Sequence, residues 1–298
     1  MMNQKRKIVS HLTSKYIMII IDLNQVMISN YMAQVGAHTN IDIDENLFRH
    51  MVLNSIRSIN SRFSAEFGEM VIACDSPRSW RKEIFPYYKA NRKKAREKSD
   101  MNWTAVFESL NKVRDELAEY FPYRVIQAAR AEADDIIGSL VEKYHGFPIL
   151  IVSGDKDFIQ LHSYMNVKQY DPVRKRFITH NNPSLFVREH IIKGDMGDGV
   201  PNFLSKDDTF VTGGRQKPIR TAKLDQWTRM RPEEFCDDTM LRNYKRNEQL
   251  VDLSYTPSEI CEDIVGQYES QAGKTREKLF NYFIEHRLKN LIESIGEF

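Results

Sequence analysis

Aspartate residues that end or closely follow apolar stretches are the first feature of this sequence that could do chemistry. Asp22 and Asp75 each close a short apolar run, and Asp155 follows a third run after a Ser-Gly pair, with Asp157 two residues later. Carboxylate oxygens are the ligands that Mg²⁺ and Mn²⁺ prefer in proteins. These residues are therefore candidates for a carboxylate-held metal site.

Two further acidic groups extend this pattern. Glu132, Asp134 and Asp135 lie at the start of a helical pattern, and Asp195 and Asp198 lie in a glycine-rich turn. Any one of these acids is more often a helix N-cap or a turn residue than a functional group. That structural role does not explain why so many separate turns carry carboxylates.

A shared site would require cations, because clustered carboxylates raise one another's pKa values. The predicted ligands are oxygen atoms only, with no accompanying His or Cys, which favours Mg²⁺ or Mn²⁺ over zinc. Two such ions suit phosphodiester hydrolysis, in which one ion activates water and both stabilise the developing charge. The acidic groups therefore predict a metal-dependent phosphodiesterase.

A basic strip at residues 78–98 follows shortly after Asp75. It contains nine Lys or Arg residues against two Glu, a local charge of +7, whereas the whole chain has a net charge of +2. Interleaved Trp80, Tyr87 and Tyr88 could stack on unpaired bases. A solvated helix face is the alternative interpretation. The candidate nucleic-acid contacts are Arg81, Lys82, Tyr88, Lys93, Lys94 and Arg96.

Alternating strands and helices must position these residues. The pattern predicts strands at 16–22, 70–75, 123–127, 148–153 and 166–170, and helices at 45–63, 103–120 and 132–144. This order indicates an α/β fold with a central, mostly parallel sheet flanked by helices. Ligands of such sheets bind beyond the carboxyl ends of the strands, where the acids would meet.

The chain divides into three predicted parts. Residues 1–15 form a polar, basic and mobile arm, and residues 16–180 form the α/β catalytic domain, which includes the basic strip. Residues 181–298 form a mainly helical, DNA-binding region. Three widely spaced cysteines and the lack of a signal peptide or membrane span predict a cytoplasmic protein.

The motifs together resemble the flap endonuclease/5′-exonuclease family, which has a PIN-like fold, and its bacteriophage members in particular. A phage origin would place the protein in a host cytoplasm. The similar segments lie in the family's order and at similar spacing across residues 16–201. They are Ile-Ile-Asp22-Leu, Ala-Cys-Asp75, Tyr87-Tyr-Lys-Ala-Asn-Arg92, Glu132-Ala-Asp-Asp135, Ser-Gly-Asp155-Lys-Asp157 and Lys193-Gly-Asp195-Met-Gly-Asp198.

The resemblance implies two Mg²⁺ ions, for which Mn²⁺ can substitute, and a set of catalytic residues. Lys89 and Arg92 would touch the scissile phosphate from a basic helical arch at about residues 78–100, with Tyr88 stacking near it. Asp195 is left open as a ninth ligand. The implied metal ligands are Asp22, Asp75, Glu132, Asp134, Asp135, Asp155, Asp157 and Asp198, of which Asp22, Asp75, Glu132, Asp134 and Asp155 are also counted as catalytic.

The implied activity is that of a 5′→3′ exonuclease and flap endonuclease. Its substrates would be DNA and RNA–DNA hybrids with a free 5′ end, including the RNA primers of lagging-strand fragments. A single-strand-binding protein and a sliding clamp are the implied protein partners, and the chain is expected to be a monomer that does not bind membranes. Gly199 departs from the family's usual Asn, and the duplex-binding hairpin beyond Pro201 is replaced by a different sequence, which includes residues 213–217.

Three other functions fit parts of the pattern. A haloacid-dehalogenase-like phosphatase would need a second Asp at the position of Asn24. A PIN-type ribonuclease shares the acidic layout but is usually shorter and lacks the basic insertion. A non-catalytic nucleic-acid-binding relative would have lost acids, and none of the expected acids is missing.

Overall fold

A six-stranded sheet forms the centre of the protein in the computed structural model, which describes residues 17–35, 44–99 and 101–298. The strand order is β3-β2-β1-β4-β5-β6, and only β6 is antiparallel to its neighbour. The predicted α/β fold is therefore confirmed. The strands are β1 (Met18–Asp22), β2 (Glu69–Ala73), β3 (Arg124–Ile126), β4 (Ile149–Val152), β5 (Val167–Asp171) and β6 (Arg176–Ile178).

The central strands are buried on both faces, as expected for parallel strands covered by helices. Ile21 is level with Ile72 of β2 on one side and with Val152 of β4 on the other. This register brings the chain just beyond β2 and β4 to the same edge as Asp22. The strand order also reverses at β1, which is where α/β sheets leave a crevice for ligands.

Twelve α-helices surround the sheet among the described residues. They are α1 (Leu23–Val35), α2 (Glu45–Phe67), α3 (Arg81–Ile84), α4 (Ala90–Glu97), α5 (Trp103–Tyr120), α6 (Ala133–Tyr144), α7 (Pro183–Lys193), α8 (Thr221–Trp227), α9 (Asp238–Val251), α10 (Ser258–Ser270), α11 (Leu279–Glu285) and α12 (Lys289–Ile292). Short 3₁₀ helices occupy Asp157–Ser163, Pro232–Glu234, Leu253–Tyr255 and Ile295–Glu297. None of these described helices combines the length and apolar character needed to cross a membrane.

Alternating strand residues divide the core into two layers. Ile19 and Ile21 face a layer built from α1, α2, α5, α11 and α12, whereas Met18 and Ile20 face a layer that includes α6 and α10. The C-terminal helices therefore pack on both faces of the sheet. A smaller apolar cluster joins α7, α8 and α9 around Phe203.

The five predicted strands are all present in the observed sheet, and the structure adds one helix and one strand to the predicted elements. Helix α1 and strand β6 were not among the predicted elements. In α1 the apolar residues also occupy exposed positions such as Met32, so no single face stands out in the sequence. The predicted arm at residues 1–15 lies outside the described residues, and the division near residue 180, which falls between β6 and α7, stays a prediction.

Candidate active site

Asp22 links the ends of two central strands. Its Oδ1 accepts a hydrogen bond from the Gln25 backbone N–H at 3.1 Å, and its Oδ2 accepts one from Ser153 Oγ at 3.1 Å. The side chain thus caps the start of α1 and ties it to the end of β4. Asp22 is therefore a helix N-cap and a candidate metal ligand at the same time, because the capping hydrogen bond holds its carboxylate at the sheet edge.

Asp75 holds together the second strand end and the start of α6. Its Oδ1 accepts the Ala133 backbone N–H at 2.8 Å, and its Oδ2 accepts Asn24 Nδ2 at 2.6 Å. The contact with Ala133 brings the first turn of α6, and with it Asp134, to the same edge of the sheet. Asn24, which rules out an Asp-x-Asp phosphatase motif, therefore orients a neighbouring carboxylate.

Two tight turns supply the remaining acids. Asp155 Oδ1 accepts the Asp157 backbone N–H at 3.0 Å, and Asp195 Oδ1 accepts the Asp198 backbone N–H at 3.0 Å. The second turn is closed by a bridge between Asp195 and Val200. In each turn one acid fixes the backbone of the next, so both carboxylates of the pair stay at the site.

An acidic cavity of about 460 Å³ results from this arrangement. Six of the eight predicted metal ligands line it, together with the open candidate Asp195 and the basic side chains Lys89, Arg92 and Arg96. The structure therefore brings together residues that are scattered over 177 positions of the sequence, from 22 to 198. The aspartates that line the cavity are Asp22, Asp75, Asp134, Asp155, Asp157, Asp195 and Asp198.

Burial and mutual repulsion raise the pKa values of several of these acids. Burial and the neighbouring Asp75 raise the pKa of Asp22 to about 7, and burial and Asp155 raise the pKa of Asp157 to about 7. The pKa of Asp134 lies well above its usual value, mainly because the group is buried and then because Asp155 is close. The negative charge in the cavity is therefore not balanced by the protein's own cations.

The excess of negative charge in the acidic cavity suits the binding of a divalent ion. A cavity of converging carboxylate oxygens with unbalanced negative charge suits Mg²⁺ or Mn²⁺, which bind oxygen ligands and lower the pKa values of the acids that hold them. The oxygen donors come from the ends of β1 and β2, from the start of α6 and from the two turns, and they are Asp22, Asp75, Asp134, Asp155, Asp157, Asp195 and Asp198.

Asp135, a predicted metal ligand, lies away from the cavity. Its carboxylate is fully buried and accepts hydrogen bonds from Trp80 Nε1 at 3.1 Å and Thr256 Oγ1 at 2.9 Å, besides an ion pair with Arg81 at 2.9 Å. The prediction for Asp135 is wrong, because one step along a helix turns the side chain by about 100°. Asp134 faces the cavity, and Asp135 therefore faces the core.

Arg81 also differs from its predicted position at the nucleic-acid surface. It is 1% exposed, and its guanidinium pairs with Asp135 and with Glu132 at 3.1 Å, while Nε donates to the Leu250 carbonyl at 3.0 Å. Every polar edge of the guanidinium is thus used inside the protein. Arg81 orders the carboxylates behind the cavity and has no free group to offer a phosphate.

Tyr88 is buried as well, so it does not offer its ring for the predicted stacking on a base. Its hydroxyl lies 2.8 Å from Glu132 Oε2 and 2.7 Å from Asp198 Oδ2. It therefore joins two acids that belong to different elements. Tyr87 next to it is exposed and keeps an accessible ring.

Glu132 stands at the border between the acids and the basic strip. Its Oε1 lies 2.5 Å from Lys89 Nζ, and burial, which alone would raise its pKa, is outweighed by Lys89 and Arg81, so the pKa is held at about 2. Glu132 is ionised and paired, and it lines the neighbouring basic cavity rather than the acidic one. Its predicted role as a metal ligand stays a prediction.

The start of α4 is attached to the turn that carries Asp198. The Lys89 backbone N–H donates to the Asp198 carbonyl at 2.7 Å, and Asn91 Nδ2 donates to the Met196 carbonyl at 2.8 Å. Arg92 pairs with the Asp198 carboxylate and donates from Nε to the Gly197 carbonyl at 3.2 Å. The basic strip and the acidic turn therefore form one connected unit.

A second, basic cavity of about 510 Å³ lies under the basic strip and adjoins the acidic cavity. The two cavities share Asn24, Asp75, Lys89, Arg92, Arg96 and Phe107. Lys82, Lys93 and Arg96 are exposed here as predicted, and Arg114 of α5 lines the same cavity. The predicted nucleic-acid residue Lys94 is exposed too, with Nζ 2.6 Å from the Val211 carbonyl.

Two residues of the site were not predicted from the sequence. His190 lies on α7 next to Asp157 and Asp195, and Arg114 lies on α5 at the basic cavity. Arg114 had no signal beyond its charge. His190 had a weak signal, because it precedes the Gly194-Asp195 turn by about one helical turn. The prediction that the acids have no histidine among them is therefore wrong.

The comparison with known families confirms the resemblance. A model described as the 5′–3′ exonuclease, N-terminal resolvase-like domain matches residues 17–191, and a model of the T4 RNase H C-terminal region matches residues 182–298. The ribonuclease H of Enterobacteria phage T4 is 35% identical over 291 residues, which cover 94% of this chain and 95% of that protein.

Shorter and structural similarities agree with these matches. A flap endonuclease Xni of Shewanella pealeana is 36% identical over 133 residues, which cover 41% of this chain and 48% of that protein. The fold is shared with the bacteriophage T5 D15 protein co-crystallised with metal ions, at a TM-score of 0.60 and 16% identity over 86% of this chain and 99% of that one. By its family match and its full-length similarity to the T4 protein, the chain belongs to the 5′–3′ exonuclease family and is a nuclease of that family.

Proposed function

We propose that the protein is a divalent-metal-dependent 5′→3′ exonuclease and flap endonuclease that cuts DNA and RNA–DNA hybrids. The observation that carries this proposal is the contact between the two cavities. A cavity lined by seven aspartates opens directly into one lined by six Lys or Arg residues, and Lys89 and Arg92 line both. A metal site for phosphodiester cleavage thus adjoins a surface for the nucleic-acid backbone.

The aspartates would hold two ions, Mg²⁺ or Mn²⁺, on the two sides of the acidic cavity. Such ions activate water at neutral pH and stabilise the charge on a phosphate that is being cleaved. The protein's part is to fix the carboxylates, which the hydrogen bonds of Asp22 with Ser153 and of Asp75 with Asn24 already do. Asp155 and Asp157 are held by their own turn.

Lys89 and Arg92 would position the scissile phosphate. Both side chains line the boundary between the cavities and are paired with Glu132 and Asp198 in this structure. A phosphate oxygen at this boundary would receive hydrogen bonds from both cations, which add charge stabilisation as the phosphate becomes more negative. The proposed role is therefore to orient the phosphate and to stabilise its transition state.

The basic cavity would hold the strand that ends in the free 5′ terminus. Lys82, Lys93, Arg96 and Arg114 line it from three helices, α3, α4 and α5, so a backbone passing through would meet positive charge from each of them. The Phe107 ring lies on the cavity wall and packs under the Arg96 guanidinium at 4.8 Å from its centroid. It offers an apolar surface beside the cations, where a base can stack.

The similarity to a protein named ribonuclease H supports RNA–DNA hybrids as substrates. Removal of RNA primers from lagging-strand fragments is the corresponding biological role. A single-strand-binding protein and a sliding clamp are proposed as partners of a monomeric enzyme, and the region 181–298 is proposed to contribute to duplex binding. The segment at residues 213–217 would take part there, because Asn202 and Ser205 hold its Gln216 and Lys217 in place.

A PIN-type ribonuclease and a non-catalytic relative are less well supported. The basic strip and its cavity, which a shorter PIN domain lacks, are present, and the described acids converge as a metal site requires. A non-catalytic protein would have no reason to keep seven aspartates in one cavity, since they repel one another.

The substrate class can be tested with three duplexes that differ only in the 5′ segment of one strand. That segment is RNA in the first, DNA in the second, and DNA joined to an upstream strand without a free 5′ end in the third. The proposal predicts Mg²⁺-dependent cutting of the first two and none of the third. Equal cutting of the third duplex would contradict a requirement for a 5′ end.

A further inference from the structure

His190 occupies the space between two acids of the metal site. Its Nδ1 lies 3.4 Å from Asp157 Oδ1, and its Nε2 lies 3.3 Å from Asp195 Oδ2. One ligand atom from each of these residues can be chosen so that all three lie within 4.8 Å of one another. The two short contacts use different ring nitrogens, of which one at a time can bind an ion. Neighbouring ligands on one octahedral ion are about 3 Å apart and opposite ones about 4 Å, so a single ion would be held by the three residues after a small movement of their side chains.

The position of the imidazole is fixed by the fold. His190 lies in the last turn of α7, and the C-cap of this helix, Gly194, directly precedes Asp195. The ring of Phe186, one turn earlier, packs edge-on against His190 with centroids 5.8 Å apart. The side chain is 16% exposed, and a cavity of about 490 Å³ lined by Asp155, Asp157, His190 and Asp195 opens on this side.

The two halves of the acidic cluster therefore differ in chemistry. The half near β1 and β2 offers only oxygen, from Asp22, Asp75 and Asp134, whereas the half near the turns has an imidazole nitrogen beside Asp157 and Asp195. Oxygen ligands suit Mg²⁺, and imidazole nitrogen suits first-row transition metals. A mixed set of one nitrogen and two carboxylates shifts the preference of that half away from Mg²⁺.

We propose that His190 is a nitrogen ligand of the divalent ion held by Asp157 and Asp195, so that this half of the site selects Mn²⁺ or a similar transition ion over Mg²⁺. This inference rests on the proposed function, because it assumes that the acidic cavity binds metal. It adds a ligand of a different chemical type and an unequal metal preference between the two halves. His190 would then touch the ion directly.

The test is pulsed electron paramagnetic resonance of the full chain with Mn²⁺ bound. Nitrogen bonded to Mn²⁺ modulates the electron spin echo, and labelling all histidines with ¹⁵N changes that modulation in a known way. The wild-type protein should show imidazole nitrogen on one class of bound Mn²⁺. His190→Gln should lose the signal, and His180→Gln, which changes an exposed histidine that also contacts Phe186, should keep it.

Affinities give a second readout that does not depend on cleavage. His190→Gln should weaken Mn²⁺ binding to one site by about tenfold or more. Mg²⁺ binding, measured by competition with Mn²⁺, should change much less. Circular dichroism would verify that the variant is folded, and the ¹⁵N result on the wild-type protein stands without any variant.

The outcomes separate this inference from the proposed function. Bound Mn²⁺ that supports cleavage but shows no nitrogen coupling in the wild-type protein would overturn the role of His190 and leave the proposed function intact. A coupling that persists in His190→Gln would do the same. A wild-type chain that binds no Mn²⁺ at all would overturn both.

Discussion

Lys89 Nζ lies 2.5 Å from Glu132 Oε1, so the first residue before α4 is tied directly to the start of α6. Lys89 also has a left-handed backbone, with φ of 57°. Side chains other than Gly rarely adopt this conformation, and it persists where surrounding contacts hold it. The backbone strain and the ion pair together place the Lys89 ammonium at the boundary between the acidic and basic cavities.

Replacing Lys89 should harm cleavage far more than stability. We expect Lys89→Ala to lower the single-turnover cleavage rate by about 100-fold, because a charge that stabilises the phosphate is lost. The free energy of unfolding should fall by no more than about 2 kcal/mol, because Glu132 keeps Arg81 and Tyr88 as partners. Rates and urea unfolding would be compared with Lys98→Ala, an exposed residue in the same strip. Equal rates for the two variants would refute the role.

Arg81 should matter chiefly for folding. We expect Arg81→Met to lower the free energy of unfolding by about 3–5 kcal/mol, because it leaves the buried carboxylate of Asp135 without its ion pair. Lys82→Met, which changes the exposed neighbour, should have almost no effect on stability. Urea denaturation of both variants measures the difference. If Arg81→Met unfolded like the wild-type protein, the buried ion pair would not be the main role of Arg81.

The acidic cavity should make the metal-free protein less stable as the pH rises. The pKa of Asp22 is raised from 3.8 to about 7, so its favourable contribution is complete below about pH 4 and is lost as the pH passes 7. Each unit of difference between the folded and unfolded pKa values changes the free energy of unfolding by about 1.4 kcal/mol. The full difference for Asp22 therefore corresponds to several degrees in Tm. In EDTA, Asp22→Asn should therefore be stabilised relative to wild type at pH 8 more than at pH 5.

Thermal unfolding of both proteins at the two pH values checks this difference. Asp225→Asn, which changes an exposed acid on α8, should follow the wild-type protein at both pH values. Saturating Mg²⁺ should reduce the amount by which the Tm of the wild-type protein falls below that of Asp22→Asn at pH 8, because the ion balances the negative charge of the carboxylates. An identical pH dependence for wild type and Asp22→Asn in EDTA would show that Asp22 is not protonated near neutrality.

Gly199 should control how firmly the basic strip is attached to the acidic turn. Its φ is 72°, and an added Cβ would lie 2.9 Å from Asn91 Oδ1, whose side chain holds the strip to Met196. We expect Gly199→Ala to expose α4 to trypsin about fivefold faster, as a loss of about 1 kcal/mol would. Gly213→Ala is the matched control, because its φ is 75° and nothing lies within 4 Å of the added atom. Equal digestion of the two variants would contradict this attachment.

The sheet and its acids were predictable because both follow from simple periodicities. Buried strands ending in Asp22 and Asp75 imply a parallel sheet, and the carboxyl ends of its strands must meet. The sequence did not predict in which direction single side chains point. Asp134 and Asp135 differ by one position on a helix, and only the packing of α6 against Trp80 and Thr256 decides which one reaches the cavity.

In the basic strip, too, the sequence predicted the character of the segment but not the burial of each side chain. Its charge predicted a surface for nucleic acid, and Lys82, Lys93 and Arg96 are exposed at the basic cavity. Arg81 and Tyr88 belong to the same run of residues, yet both are buried among acids from distant parts of the chain. Contacts over more than 40 positions, such as Tyr88 with Glu132, leave no local pattern in the sequence.

If the acidic cavity is the site of 5′-directed cleavage, the loss of one of its carboxylates must stop cutting without stopping binding. The wild-type protein and Asp155→Asn would each be incubated with a 5′-labelled flap duplex and with a matched 3′-tailed duplex, in Mg²⁺ and in EDTA. We expect cutting only by the wild-type protein, only of the 5′ flap and only with Mg²⁺, while Asp155→Asn still binds the flap. Cleavage of the flap by Asp155→Asn at the wild-type rate would contradict the assignment of the site.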